Sequence, residues 1–241
     1  MSTLIEKYIS SFKKPGIQPF PTHLFEMDLH PAEDLVSKLL NVTGSSIIPL
    51  TRTKVSQGCK LFGAAILEKS TLKPVTVATN DERTSPLLHG EINCIQAYAA
   101  SPKESRPNAK DCVFFATHEP CSLCLSGITW SGFNEIVYLF TYEDSRDLFA
   151  IPYDIDILQS VFQVASAEDT PETLAAKPLY NRTNKFFRAR SVAELVDCIE
   201  SDADRKKWER EVVRIKSLYS GLSDVYQKGK ATGQESSSFF K

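Results

Sequence analysis

A histidine at 89, a glutamate two residues on at 91 and the run Pro-Cys-Ser-Leu-Cys at 120–124 are the residues whose types and spacing could do chemistry. The pair Cys121 and Cys124 has three readings on its own. It follows a strand-like run and opens a helix, which fits a redox dithiol, although no thioredoxin-like pattern leads into it. As half of a closed structural zinc site it would need a second Cys-x-x-Cys or a histidine pair. Cys59, Cys94, Cys112 and Cys198 stand singly, mainly in apolar runs, as small core hydrophobes do. As part of an open metal site it needs one further ligand, and "LLHGEINC" offers His89.

The spacing suits that third reading. Residues three apart on a helix lie on one face a turn apart, so the sulfurs of Cys121 and Cys124 can share one metal ion. Pro120 suits a first helical turn, and the positive end of a helix favours thiolates. Two sulfurs and one imidazole nitrogen leave a fourth tetrahedral position open to water. Glu91 is too near His89 in sequence to share its helical face, so it is expected beside the metal, as a general base. His118 is expected to line the pocket or point away, not to ligate. A His-x-Glu followed by Pro-Cys-x-x-Cys is the signature of zinc-dependent base deaminases.

The elements that must position these residues are legible in outline. "HPAEDLVSKLL" and "SIIPLTRTKVSQG" predict two helices, the second stopped by Gly58. "KLFGAAILE" and "PVTVAT" predict strands, "HGEINCIQAYAA" a helix, "DCVFFAT" a buried strand, "CSLCLSGITWSG" a helix and "NEIVYLF" a strand. That order points to an α/β sandwich around a partly parallel sheet. Residues 1–44 are expected to form an extended arm and a short helix, 45–165 the catalytic core, and 166–241 a mainly helical extension with a mobile tail. Within that extension Trp208, Val212, Ile215, Tyr219, Leu222 and Tyr226 form a narrow apolar seam. The seam can pack on its own domain or on a second subunit.

Bulk composition bounds the function. The 241 residues carry 28 basic and 30 acidic side chains, with no basic excess to hold a long nucleic acid. The first residues lack the apolar core of a signal peptide, and no window is apolar enough to span a membrane. Six cysteines in such a chain are expected as thiols or metal ligands in cytoplasm or nucleus.

"LFGAAI", "HGE" at 89–91, "THEPCSLC" at 117–124 and "SGITWSGFNEIVY" together resemble the cytidine and deoxycytidylate deaminase superfamily. The resemblance covers about residues 45–165. It is nearest the free-base and tRNA-type branch, which includes fungal cytosine deaminase, guanine deaminase and tRNA adenosine deaminase. It implies a three-layer α/β/α sandwich with a mixed, mostly five-stranded sheet, here with a helical C-terminal extension. It implies one zinc ion per chain on His89, Cys121 and Cys124, Glu91 as proton shuttle, and self-association as a homodimer or larger homo-oligomer.

The resemblance also offers substrate contacts. Asn80 matches a base-binding asparagine at the end of the second strand, and equally reads as a turn residue in "TNDE". Asp144 falls where guanine-deaminase-like relatives place an acid, and also reads as solvated surface. Phe186 or Phe187 could close over a substrate or sit in a core. The implied reaction is hydrolytic deamination of a small nucleobase-like heterocycle, cytosine-like first and guanine-like next. A tRNA adenosine deaminase, or a subunit of one, and a non-catalytic zinc-containing interaction protein are the alternatives.

Overall fold

The computed structural model describes residues 29–233; the expected arm up to residue 28 and the expected mobile tail from 234 lie outside the described residues. Helix α1 (Ala32–Val42) carries Glu33 and Asp34 in its first turn, where acids complement the helix dipole, and buries Leu35, Val36, Leu39 and Leu40. A π-helical stretch, Thr43–Ile47, leads without a break into α2 (Ile48–Val55). The two helices expected separately are therefore one continuous helical run that crosses position 44. Gly58, with φ of 92°, ends it in the left-handed conformation that glycine adopts without strain.

After β1 (Gly63–Glu68) and β2 (Pro74–Thr79) come α3 (Gly90–Ala100), β3 (Cys112–His118), α4 (Ser122–Trp130), β4 (Glu135–Phe140), α5 (Tyr142–Phe149), α6 (Tyr153–Ile157) and α7 (Pro171–Ala175). The chain closes with β5 (Arg188–Ser191), α8 (Val192–Asp197) and α9 (Asp202–Ala231). The sheet order is β2-β1-β3-β4-β5. β1 is antiparallel to both β2 and β3, whereas β3–β4 and β4–β5 are parallel.

Strand side chains alternate between faces, and here both faces are apolar. Ala65, Leu67, Val113, Phe115, Val137 and Leu139 enter a core shared with α1, α2, α8 and α9. Ala64, Ile66, Phe114, Ala116, Ile136 and Tyr138 enter a second core with α3 and α4. Covering both faces gives the expected three-layer α/β/α sandwich with a mixed five-stranded sheet.

The fifth strand comes from the stretch read as a helical extension. "RARS" looked polar, but Arg188 and Arg190 both reach the buried carboxylate of Glu135 on β4, at 3.1 and 2.8 Å. Ala189 between them packs into the core. The seam of α9 settles on the chain itself: Ile215, Tyr219, Leu222 and Tyr226 are buried in the first core, with Trp208 and Val212 packed against it. Phe187 is buried in the second core and Phe186 is exposed. Among the described residues, none of the helices is long and apolar enough to cross a membrane.

Candidate active site

The strand directions gather the chemistry at one end of the sheet. β2 and β3 both run antiparallel to β1, and β4 runs parallel to β3. The carboxyl ends of β2, β3 and β4 thus meet the start of β1, where open α/β sheets place their clefts.

Two helix starts converge there. His89 is the N-cap of α3 and Cys121 the N-cap of α4, both with extended backbone and neither using its side chain to cap. The side chains are thereby left to face each other. Nδ1 of His89 lies 3.4 Å from Sγ of Cys121 and 3.7 Å from Sγ of Cys124. The three ligand atoms all lie within 4.8 Å of one another. Two sulfurs and an imidazole nitrogen, nearly closed off from solvent, are a donor set that fits zinc. Pro120 is placed one residue earlier than expected, ahead of the cap and outside the first turn of α4. The extended backbone of Cys121 begins the helix instead, and the Pro120 carbonyl accepts the Tyr142 hydroxyl.

The titration states follow from this crowding. Donation from the Cys124 thiol, together with His89, holds Cys121 well below the usual thiol range. Burial holds Cys124 up. Burial also opposes charge on His89, but its contact with Cys121 wins and raises it to about 9. Such a proton-rich cluster of soft donors is what a cation would displace protons from.

Glu91, at the second position of α3, is buried, and its Oε2 has no hydrogen-bond partner. Burial first, and then the charge of Cys121, raises it to about 7. A carboxyl in that range can both take and give a proton at neutral pH.

Asn80 is fully buried just past β2. Its Oδ1 accepts the Gly90 N–H at 2.6 Å, and its Nδ2 is buried without a partner. It is more than a surface turn residue. Gly90 is small for a steric reason: a Cβ there would lie 2.9 Å from both Gly63 Cα and the Phe62 carbonyl.

His118 points away from His89, Cys121 and Cys124, into the first core. Its ring stacks on Phe140 at 4.7 Å and packs against Phe62, Phe149 and Tyr219, with Nδ1 2.9 Å from the Thr117 hydroxyl. Asp144 is a correction to the sequence reading. It sits in the first turn of α5, forms a capping box with Thr141 and pairs with Lys216 at 2.6 Å. The capping geometry holds its carboxylate at its own helix end, and Asp144 does not line the pocket. Phe186 and Phe187 do not line the pocket either.

The pocket beside His89 and Cys121 has a volume of about 290 Å3. Its walls include Phe62, Leu123 and Ile157, with Lys60 and Asp154 as charged groups. Asp154, at the start of α6, is the acid that reading Asp144 missed; burial and then Cys121 raise it to about 7. In sequence it is one of two aspartates in "YDIDI", and nothing local marks which one turns inward. Lys60 was hidden in the same way. It is buried and bonded to fully buried Glu82, Nζ to Oε1 and main-chain N to Oε2, both at 2.7 Å.

Residues 49–140 match the family model of the cytidine and deoxycytidylate deaminase zinc-binding region. Solved structures similar to the chain include guanine deaminase from Nitrosomonas europaea, at 17% identity and a TM-score of 0.38, covering 84% of this chain and 97% of that one. Guanine deaminase from Bacillus subtilis is similar at 19% identity and a TM-score of 0.37, covering 69% and 99%. A structure from work on tRNA:A34 deaminases is similar at 20% identity and a TM-score of 0.29, covering 34% and 61%. No curated protein matches the sequence.

Proposed function

We propose, starting from the match of residues 49–140 to the family model of the cytidine and deoxycytidylate deaminase zinc-binding region, that the chain is a zinc-dependent hydrolytic deaminase of a small nucleobase-like heterocycle. The observation that carries this reading is one juxtaposition. His89 Nδ1, Cys121 Sγ and Cys124 Sγ cluster at one wall of a small pocket, and Glu91, just beyond His89 on α3, keeps a buried oxygen without a partner.

His89, Cys121 and Cys124 would hold the zinc. When bound, it supplies a Lewis acid that makes water a competent nucleophile near neutral pH. The water oxygen bonds to the carbon that bears the amino group, and the water proton passes to Glu91. Glu91 delivers that proton to the adjacent ring nitrogen, and then moves the second proton to the departing nitrogen. Ammonia leaves and the ring keeps an oxo group, so water and amine go to carbonyl and ammonia with atoms balanced. Burial of Glu91 keeps it near the middle of its titration, where both transfers are available.

The pocket supports a single ring system. Ligand pockets start at about 300 Å3, and 290 Å3 suits a free base better than a base with sugar and phosphate. Phe62, Leu123 and Ile157 offer apolar walls to the ring, and Asp154 offers an edge contact. Cytosine-sized substrates come first on size, guanine-sized ones next.

Ammonia release by the zinc-loaded protein from cytosine, guanine, adenine, their nucleosides and a pterin tests the reading. Turnover of one free base, lost in Glu91→Ala, is the expected result. Silence from the whole panel at one zinc per chain overturns it.

A further inference from the structure

Ile151, Tyr153, Asp154 and Ile157 of the pocket wall all come from the short stretch that turns from α5 into α6. The turn is sharp. Ala150 ends α5 in the left-handed conformation, with φ of 54° and ψ of 43°. A residue with a Cβ is strained there, and such a conformation persists only where its surroundings hold it.

The hold comes from α9. The Phe149 carbonyl belongs to the last turn of α5, where carbonyls have no partner within their own helix. It accepts the side-chain N–H of Gln227 at 2.7 Å. Three residues further along α9, Nζ of Lys230 reaches the Tyr153 hydroxyl at 3.4 Å and stands 5.9 Å from the centre of its ring. The two contacts bracket the corner at 149 and 153, with Ile151 between them.

The helix that carries these donors is itself firmly seated. Tyr219, Leu222 and Tyr226 of α9 share the first core with Phe149 and Ile151, and Tyr153 packs against that core. Lys216 pairs with Asp144 at 2.6 Å, so α9 grips α5 at its first turn as well as its last. The ligand trio and Glu91 stand at the starts of α3 and α4, which pack on the second core across the sheet. Loosening the corner would therefore move the pocket wall and leave the ligands in place. α9 also lies outside residues 49–140, the part that matches the family model.

We infer that Gln227 is a positioning residue, which holds the Phe149–Ala150 corner in its left-handed turn and so sets Ile151, Tyr153 and Asp154 against the substrate, with Lys230 as a second hold. The inference rests on the deaminase reading for what enters the pocket, and on the corner's own contacts for the rest.

Gln227→Glu keeps the length and shape of the side chain and sets an acceptor against the Phe149 carbonyl. Amide hydrogen exchange is followed by mass spectrometry on zinc-loaded full-length protein. Exchange over residues 149–157 should speed up by about 5-fold or more, and over 135–140 it should stay at the wild-type rate, as for a local opening. KM for the base turned over should rise by about 3- to 10-fold, the scale of one hydrogen bond. Zinc content and kcat should stay within about 2-fold, as when uniform binding alone is lost. Adding Ala150→Gly to Gln227→Glu should bring KM back toward the wild-type value, because glycine takes the left-handed turn without strain. General damage to α9 would not be repaired in this way. Lys230→Met, in the last turn of α9, should raise KM in the same direction, so the inference does not depend on one variant folding. Unchanged exchange over 149–157 in Gln227→Glu, or an unchanged KM, overturns the assignment. A fall in kcat and zinc content alongside the rise in KM, with no recovery on adding Ala150→Gly, overturns it too. Silence of the wild type across the whole panel overturns the deaminase reading alone, and the exchange rates still decide whether Gln227 holds the corner.

Discussion

The side-chain oxygen of Asn80 accepts the main-chain N–H of Gly90 at 2.6 Å, tying the end of β2 to the first turn of α3 between His89 and Glu91. His89 is the N-cap residue but does not cap its own helix, so an outside acceptor satisfies an N–H that would otherwise be orphaned. Asn80 thus frees the imidazole to face Cys121 and Cys124.

The two ends of that amide are predicted to have separable roles. Asn80→Asp keeps an acceptor for Gly90 and replaces the unpartnered Nδ2 with oxygen. Its melting temperature and zinc content should stay near wild type while KM for the base rises by about tenfold or more, as for loss of one substrate hydrogen bond. Asn80→Ala loses the cap as well and should cost about 1 kcal/mol of stability. Urea midpoints beside steady-state kinetics separate the two, and an unchanged KM in Asn80→Asp would assign the residue to structure alone.

Glu91→Gln keeps the shape of the side chain and removes its capacity to carry a proton. Zinc content by elemental analysis should be unchanged, and kcat should fall by about 10²- to 10⁴-fold, the usual range for a lost general acid–base group. Conversely, Cys124→Ser should lower zinc affinity, and chelation should lower the melting temperature of the wild type, because a ligand bound only to the folded state stabilises it. A Glu91→Gln enzyme with full turnover would remove Glu91 from the proton path.

Gly90→Ala is a single methyl with a large expected effect. Its Cβ would sit 2.9 Å from Gly63 Cα and from the Phe62 carbonyl, both backbone atoms that cannot rotate away. The start of α3 has to shift, at about 1–3 kcal/mol by analogy with other overpacked sites. Since His89 and Glu91 flank that position, zinc affinity should weaken together with stability. A urea midpoint at the wild-type value would mean that the close approach relaxes without cost.

What the sequence disclosed and what it hid divide along physical lines. The convergence of His89, Cys121 and Cys124, with Glu91 close behind His89, was legible because each lies at a helix start, where spacing bounds which side chains can meet. β1, β3 and β4 were legible because their apolar runs are short, bounded and buried on both faces, and β2 because turn residues bound its β-branched run. β5 escaped because Arg188 and Arg190 satisfy a buried Glu135, an arrangement that only the neighbouring strand makes sense of. The pocket wall escaped for a related reason. Lys60 and Glu82 lie in loops and Asp154 at the start of α6, and which acid turns inward is settled by packing between elements. Asp144 was offered only because relatives place an acid there, and its carboxylate caps α5 and pairs with Lys216.

His118 lies outside the reaction. His118 is fully buried among Phe62, Phe140, Phe149 and Tyr219, and burial first, then Lys216, lowers its basicity well below the ordinary 6.5. The imidazole is therefore neutral in the fold but takes a proton in the unfolded chain once the pH drops below about 6.5. The unfolded state then binds more protons, so stability rises with pH through this window. The contribution is fully present above about 6.5 and is lost as the pH falls toward the depressed folded value, by up to about 1.4 kcal/mol per pH unit. His118→Phe fits an aromatic site and removes the titration. Urea midpoints at pH 7 and pH 5, taken with chelator present so that zinc release does not enter, should fall more steeply for the wild type than for the variant. Parallel curves would place the acid sensitivity in other groups.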